Sequence, residues 1–533
     1  MANRAYGIDL GTTNSVLATR DASGQTEIVR VGANDEIVLR SAVYFSNIGG
    51  KMRVSVGREA INRGLSSGHV ENFRMDFKRD IAKNVVTKTP DNRQINSVIL
   101  SAMVLNEFKK RIGKLQEEEG HEKTAPQVVI TVPAYFTSKQ RAATKNAGRL
   151  AGFEVLRIIN EPTAAAIAYA HDRGVNGNIL VYDLGGGTFD VTVLQVAGQH
   201  YDIKATDGNH RLGGLDFDKQ LAKLLIRRLE DQGVNMTKLT AQQETQLLYE
   251  AEKLKIALSV NDATYFEYMT ETAEYEVEIT QNDFQREIQP LLKDTQIKLE
   301  TTLRSSGLTW KDIDHILLVG GSTRMPVVRL MIEALSGKKP EYDLNPDIIV
   351  AEGAAIIADL MVNHGVTFSE TQASEDLDAK TDGLVIRDVT SQGLGILLKK
   401  SSAQSYPFVG DYYNRIIVPR NTVIPATFIK DDLVATVDGQ TNFGLRLTEG
   451  NYENPMDVDI ILNRVEPLAT PRQAGEKLIS IRLDFDEEQI VYITITDSVT
   501  GEIINQLTVN TTLSQFVDDD LTELQAIFDA YTL

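Results

Sequence analysis

Two short runs of this sequence carry the residue types that phosphate and magnesium chemistry needs. The first is Gly7-Ile8-Asp9-Leu10-Gly11-Thr12-Thr13-Asn14-Ser15, and the second is Val181-Tyr182-Asp183-Leu184-Gly185-Gly186-Gly187-Thr188-Phe189-Asp190. In each, an apolar strand runs into Asp-Leu-Gly and then turns through small residues. Glycine lets backbone N–H groups approach phosphate oxygens, because no Cβ stands in the way. An aspartate at a strand end can hold Mg²⁺ directly or through its water shell. A lone Gly-rich turn is as often a tight connection as a binding loop. Here a third, Gly320-Gly321-Ser322-Thr323, follows the apolar run Ile316-Leu317-Leu318-Val319. The repeated signature points to two pseudo-equivalent lobes that close on one nucleotide from opposite sides.

Such turns need strands and helices to hold them. Up to about residue 365 the pattern alternates the two, the signature of an α/β fold. Val128-Val129-Ile130-Thr131-Val132 reads as a buried strand that stops at Pro133. Thr137-Ser138-Lys139-Gln140 has capping-box spacing and opens a helix ending near Gly152. Glu161-Pro162 opens another, with proline in the first turn and an alanine-rich body that stops before Gly174. Residues 366–382 are polar and read as a boundary. Beyond them Ile479, Ile481, Leu483 and Phe485 alternate with polar residues, as do Val491, Ile493 and Ile495. That is the half-buried antiparallel pattern, so residues 390–510 are predicted to form a β-sandwich. A helical pattern closes the chain from Leu513 to Leu533, too short for a bundle of its own.

The 533 residues exceed one core and fit about two to four domains. A net charge of -19 disfavours nucleic acid or an anionic membrane as partner. With 0 cysteines, disulfides, thiol catalysis and thiolate metal sites are excluded together. Asp9 interrupts the early apolar run, which argues against a signal segment, and no stretch reaches the ~20 apolar residues of a membrane span. A cytoplasmic chain is expected.

These motifs resemble the 70-kDa heat-shock chaperone family, and the resemblance spans residues 5 to about 510. It rests on the two Asp-Leu-Gly runs and on Val132-Pro133-Ala134-Tyr135-Phe136, Ile159-Asn160-Glu161-Pro162-Thr163-Ala164-Ala165-Ala166 and Leu212-Gly213-Gly214. Asn345-Pro346-Asp347 and Gly353-Ala354-Ala355 add to it. It implies an actin-like (ribonuclease H-like) two-lobed α/β ATPase domain over residues 1–380 and a linker at 381–389. An all-β sandwich domain at 390–510 and a short C-terminal helix at 511–533 follow, the latter a truncated lid.

The resemblance also implies roles. Asp9 and Asp183 would position Mg²⁺ and, with Asp190, K⁺. Gly11, Thr12, Thr13, Asn14, Gly185, Gly186, Gly187, Thr188, Gly213 and Gly214 would cradle the phosphates of ATP or ADP. Lys78 would orient the attacking water and Glu161 is the matching carboxylate, so that Lys78, Glu161, Asp183 and Thr188 form the catalytic set; a lone lysine is otherwise a solvated surface residue by default. Glu252, Lys255, Ile256 and Ser259 share one helix face. The resemblance assigns Glu252 and Lys255 to the ribose and Ser259 to adenine, with Gly320, Gly321, Ser322, Arg324 and Asp347 closing the other side.

For coupling, the resemblance implies Pro133 and Arg141 as transmitters and the linker Leu384-Val385-Ile386-Arg387-Asp388-Val389. Arg387 stands where a further leucine is usual, costing ~1–2 kcal/mol of linker burial if that position is buried. Arg157, Asn160 and Asp388 match positions that meet a J-domain co-chaperone. The acidic turn that supports such docking is replaced by Gln195-Val196-Ala197-Gly198-Gln199-His200. The segment from Phe266 to Ile279 is read as a helix pair with a short connection, which implies fast exchange without the usual exchange factor. Leu394 and Ile396 fall at the wall of a peptide groove. Phe443 falls near its central pocket, where a ring roughly 50 Å³ larger than valine would fill the space, or points the other way if the register slips by one. The expected activity is that of an ATP-driven, monomeric chaperone for extended peptide segments. The alternative is a nucleotide-gated adaptor for one dedicated partner. Sugar kinases and actins share the ATPase fold but carry no C-terminal β-sandwich.

Overall fold

The computed structural model describes residues 4–32, 35–83, 87–120, 124–341, 344–366, 384–400, 405–508 and 518–532. The two Asp-Leu-Gly runs open two similar sheets. Tyr6–Leu10 pairs antiparallel with Asn14–Arg20 and parallel with Gln127–Val132, which pairs parallel with Glu154–Asn160. In the second lobe Gly177–Leu184 pairs antiparallel with Phe189–Ala197 and parallel with His315–Val319. Phe189–Ala197 continues to His200–Asn209. Their near-continuous Val, Ile and Leu runs follow from burial on both faces.

Between the sheets lie the helices Glu161–Ala170 and Ile349–Asn363, whose alanines pack with strand residues of both lobes. This seam requires small residues. A Cβ on Gly7 would fall 2.1 Å from the Ala355 nitrogen, and one on Gly353 would fall 1.8 Å from the Ala164 carbonyl oxygen. The capping box at Thr137 and Gln140 is present and opens the helix Ser138–Leu150. Glu161–Ala170 starts directly after the extended residue Asn160, with proline in its first turn.

The β-sandwich has two four-stranded sheets. Ile479, Ile481, Leu483 and Phe485 face inward with Val491, Ile493 and Ile495, as their alternation predicts. The polar stretch read as a boundary lies, from residue 367 on, outside the described residues. The linker strand Val385–Val389 is shared. It pairs parallel with His200–Asn209 of the second lobe on one side and antiparallel with Val423–Ile424 of the sandwich on the other. Leu384 is buried, whereas Arg387 is half-exposed beside Asp202 at 3.9 Å. The charge at this position therefore meets a carboxylate at a sheet edge rather than a closed apolar pocket.

One expectation changes, and one element finds an unexpected neighbour. Residues 263–280 are not a helix pair but the antiparallel hairpin Ala263–Met269 and Glu274–Thr280. Phe266, Val277 and Ile279 are buried on one face and charged residues stand on the other, a period of two rather than 3.6. The C-terminal helix Asp518–Thr532 does not stand alone. Leu524, Phe528 and Tyr531 join the hydrophobic core of the first lobe. The Tyr531 ring packs edge-on to Phe45, and its hydroxyl reaches Thr89 and Asp91 at 2.9 and 2.8 Å. Packing onto a preformed core stabilises a helix that sequence length alone makes marginal.

Candidate nucleotide site

The three Gly-rich turns meet at the mouths of the two sheets around a cavity of about 410 Å³. The first two face each other across the cleft. A Cβ on Gly186 would lie 1.9 Å from the Thr13 hydroxyl, and one on Gly187 would lie 2.5 Å from the Thr12 hydroxyl. The Thr13 hydroxyl oxygen is buried without a hydrogen-bond partner among the described residues. A polar atom in that position costs free energy until a ligand oxygen reaches it. The helix Gly214–Asp231 braces the second turn. Gly214 N–H donates to the Gly185 carbonyl at 2.9 Å and Leu215 N–H to that of Gly186 at 2.8 Å. The third turn is tied in by the Ser322 hydroxyl, which donates to the Gly185 carbonyl at 3.0 Å.

At the floor lies a dense set of carboxylates with one cation. Lys78 is 2 % exposed, and its Nζ donates to Glu161 Oε1 at 2.9 Å. A solvated lysine is thereby excluded. Asp183 and Asp190 are directly opposed across their hairpin. Burial, reinforced by the Glu161 charge, pushes Asp9 up to about 7 and Asp190 up to about 8, against the pull of Lys78. The same two causes raise Asp183 well above the usual carboxylate range. A low-dielectric cluster of this kind is relieved by a bound cation. Two carboxylates together with substrate phosphate and water oxygens are the donor set Mg²⁺ prefers, so the residues present fit it.

Of the residues predicted to bind nucleotide, Gly11, Thr12, Thr13, Asn14, Gly185, Gly186, Glu252, Lys255, Ile256, Gly320, Gly321, Ser322, Arg324 and Asp347 line the cavity, with Asp9, Lys78, Glu161, Asp183 and Thr188. Gly187, Gly213 and Gly214 stand just behind, where a Cβ on Gly213 would meet the Gly187 nitrogen at 2.7 Å. Ser259 lies to one side, its hydroxyl donating to the Lys255 carbonyl at 3.1 Å. Arg324 is fixed by Asp347 at 2.6 Å and by Asn345 at 2.9 Å.

Three polar residues at this site were not singled out by sequence. Asp218 pairs with Lys255 at 2.7 Å. Arg79 crosses the cleft to Asp216 at 2.5 Å and also donates to the Gly187 carbonyl at 2.9 Å. Arg40 reaches Glu252 with both guanidinium nitrogens. Only Arg79, adjacent to Lys78, and Asp218, just past Gly213-Gly214, had a neighbouring signal.

The site is wired to the sandwich. Tyr135 N–H donates to Asp190 at 2.9 Å, while its hydroxyl accepts from the Asn451 side chain at 3.3 Å. Arg141 is buried and donates to the Ala134 carbonyl at 3.0 Å and to Asn160 at 2.6 Å. Asn160 donates to Asp388 of the linker at 2.7 Å, and Gln489 of the sandwich donates to the same carboxylate at 3.2 Å. Pro133 opens the loop that carries these contacts. Arg157 is buried close by, and Glu488 pairs with Lys145. Val385 and Ile386 are half-buried in the linker strand.

In the sandwich, Leu394, Ile396 and Phe443 are all buried in the core. Phe443 shares the inward face of its strand with Leu445 and Leu447, so its ring points inside.

The family of the Hsp70 protein matches residues 5–526 of the chain. The chain is 36% identical over 539 residues to the chaperone protein DnaK of Thermosipho africanus, covering 98% of this chain and 83% of that relative. It is 35% identical to DnaK of Thermus thermophilus, with coverage of 96% and 81%. Against the chloroplastic heat shock 70 kDa protein 6 of Arabidopsis thaliana, identity is 33%, with coverage of 94% and 68%.

Proposed function

The chain belongs to the Hsp70 protein family, and from that premise we propose that it is an ATP-hydrolysing molecular chaperone whose nucleotide cleft drives its β-sandwich. The observation that carries the reading is the buried Lys78–Glu161 pair, set between the facing Asp-Leu-Gly turns. Phosphoryl transfer to water needs charge neutralisation and an oriented water more than a strong base. An ammonium donor and a carboxylate acceptor 2.9 Å apart can orient one water from two sides. Thr12, Thr13 and Thr188 supply hydroxyls, and the glycines supply close backbone N–H groups for phosphate oxygens.

Asp9 and Asp183 would hold Mg²⁺, and Asp190 would contribute to a K⁺ site. When bound, the magnesium ion neutralises phosphate charge within the cleft. Glu252, Lys255, Ile256, Ser259 and Arg324 would hold the nucleoside. An actin-like ATPase domain, a linker and a sandwich are the proposed divisions of the chain, and the cytoplasm is its proposed compartment. No helix among the described residues is long and apolar enough to cross a membrane.

The relay from Asp190 through Tyr135, and from Arg141 through Asn160 and Asp388, supports coupling of nucleotide state to a sandwich that takes extended peptide segments. Arg157, Asn160 and Asp388 would also serve a J-domain partner. Steady-state ATP hydrolysis by the full chain, with and without a hydrophobic peptide, tests the reading. Lys78→Ala and Thr188→Ala should each lower turnover at least ~100-fold. Turnover unaffected by either substitution would defeat the catalytic assignment.

A further inference from the structure

On the strand Leu394–Lys399 of the sandwich, Leu394 and Ile396 are buried in the core and Leu398 packs against it. Lys400 is next in that period of two. Its backbone N–H donates to the Asp411 carbonyl at 2.8 Å, which carries the ladder one residue past the strand. Three apolar side chains in line thus end in an ammonium, and that ammonium is held without a carboxylate. Nζ lies 4.3 Å from the Phe408 ring centroid and 5.1 Å from that of Tyr406, and it donates to the Phe408 carbonyl at 2.6 Å. Tyr406 packs in turn on Tyr413, with centroids 4.9 Å apart. Val409, next to Phe408 in the chain, is 97% exposed.

Two more cations border the same end of the sheet. Lys399 stands opposite Tyr412 in the strand pair, and the Arg446 guanidinium lies 4.2 Å from the centroid of that ring. Other cations of the sandwich have carboxylate partners: Lys430 and Arg415 share Asp432, Arg482 takes Asp484 and Arg472 takes Asp497. Lys399, Lys400 and Arg446 have none among the described residues. Such a group is unusual in a chain with 74 acidic against 55 basic residues. A ring face holds an ammonium in place without using up its N–H groups. Of the three donors of Lys400, the Phe408 carbonyl takes one. We propose that Lys400 binds an acidic side chain of the peptide, so that the sandwich selects extended segments in which Glu or Asp flanks apolar residues. This rests on the peptide-binding reading above. Lys399 and Arg446 add to the positive field, so a segment flanked by Lys or Arg meets like charge and is rejected.

The test is fluorescence anisotropy with the full chain and ADP. Three labelled peptides share one leucine-rich core and carry Glu, Gln or Lys at the flanks. The Glu-flanked peptide should bind about tenfold tighter than the Lys-flanked one. Lys400→Gln should cut that ratio to about twofold, while Lys400→Arg keeps most of it and Arg446→Gln lowers it less. Added salt should compress the ratio in the parent. The Gln-flanked peptide and a thermal melt separate recognition from support of the loop. If Lys400→Gln loses the Gln-flanked peptide and its melting point together with the Glu-flanked one, the lysine props up the aromatic residues and the assignment is overturned. A Lys-flanked peptide bound as tightly as the Glu-flanked one by the parent overturns it too, as does a ratio that Lys400→Gln leaves unchanged. A parent chain that binds none of the three overturns the peptide-binding reading itself, and the assignment with it.

Discussion

The side-chain amide of Asn160 donates to the carboxylate of Asp388 at 2.7 Å, joining the nucleotide-binding lobes to the linker strand at a buried position. On one side Asn160 accepts from Arg141, and on the other Asp388 accepts from Gln489 of the sandwich. Four polar side chains from the lobe, the linker and the sandwich thus satisfy one another at this junction. Removing one member leaves its partners a hydrogen bond short, although Arg141 keeps the Ala134 carbonyl and Asp388 keeps Gln489.

Asn160→Ala should therefore uncouple the two halves. Peptide stimulation of ATP hydrolysis should fall several-fold while the unstimulated rate changes little, because Asn160 lines no part of the nucleotide cavity. Asp388→Asn should retain part of the coupling, since an amide oxygen can still accept from Asn160 and Gln489. Steady-state hydrolysis with and without a hydrophobic peptide measures both, and equal stimulation in all three chains would sink the relay.

Docking of the sandwich should also depend on pH through Glu449. Its Oε1 accepts from the Ser138 backbone N–H at 3.2 Å at the start of the helix Ser138–Leu150, while Oε2 is buried without a hydrogen-bond partner among the described residues. Asp459 stands opposite it across the strand pair, and Lys139 and Arg141 approach from the lobe. Burial, with Asp459 adding to it, pushes Glu449 up to about 7 despite the Ser138 bond. Exposed after undocking, it would return towards ~4.3. Between these values the docked form binds more protons, so docking is strongest below the lower value and weakens as pH rises towards 7. Burial raises Asp388 in the same direction. Energy transfer between dyes on the second lobe and the sandwich, titrated from pH 5 to 8, should show this loss, and Glu449→Gln should flatten much of it. A parental signal constant across that range would refute the assignment.

Much of this architecture was legible in the residues, and the failures have physical causes. Thr137 with Gln140 marks a helix start through local hydrogen bonding, and Glu161-Pro162 marks another through the fixed backbone of proline in the first turn, both of which sequence spacing encodes directly. The facing turns were legible because glycine, threonine and aspartate are each demanded by the same chemistry. Residues 263–280 were misread because a short segment with buried Phe266 and Val277 fits either period until its partner strand is known. Arg40 was invisible for a different reason. Nothing in Leu39-Arg40-Ser41 signals a ligand, and its meaning comes from Glu252, far along the chain on the opposite lobe. Tyr531 is similar, since a terminal helix of modest length says nothing about the core that receives it.

That reception predicts a separable anchor. Tyr531 is 9% exposed, its ring meets Phe45, and Arg93 lies over its face at 5.3 Å from the centroid. Tyr531→Phe keeps the packing and loses the hydroxyl contacts with Thr89 and Asp91, costing about 1 kcal/mol. Tyr531→Ala removes the ring as well and should cost about 3–5 kcal/mol, enough to release the helix from the lobe. Hydrogen exchange across residues 518–532 should rise sharply in the second variant and slightly in the first. Equal exchange in all three chains would show that Leu524 and Phe528 hold the helix without it.

Phe443 gives the most direct prediction about the sandwich. Its ring is 4% exposed and shares the core with Leu394 and Ile396, the residues expected at the wall of a peptide groove. Its neighbours Leu445 and Leu447 face the same way, so the strand is in the register that points the ring inward. Phe443→Val should free roughly 50 Å³ beside Leu394 and Ile396, space of the size a leucine side chain needs. The substitution should cost about 1–3 kcal/mol of sandwich stability, since the cavity is only partly reclaimed by collapse. It should at the same time tighten binding of a leucine-rich peptide, because the apolar surface that lost its ring gains a new partner. Fluorescence anisotropy of a labelled peptide, read beside a thermal melt, separates the two effects. Weaker peptide binding together with a lowered melting point would mean that the ring supports the binding surface instead of filling it.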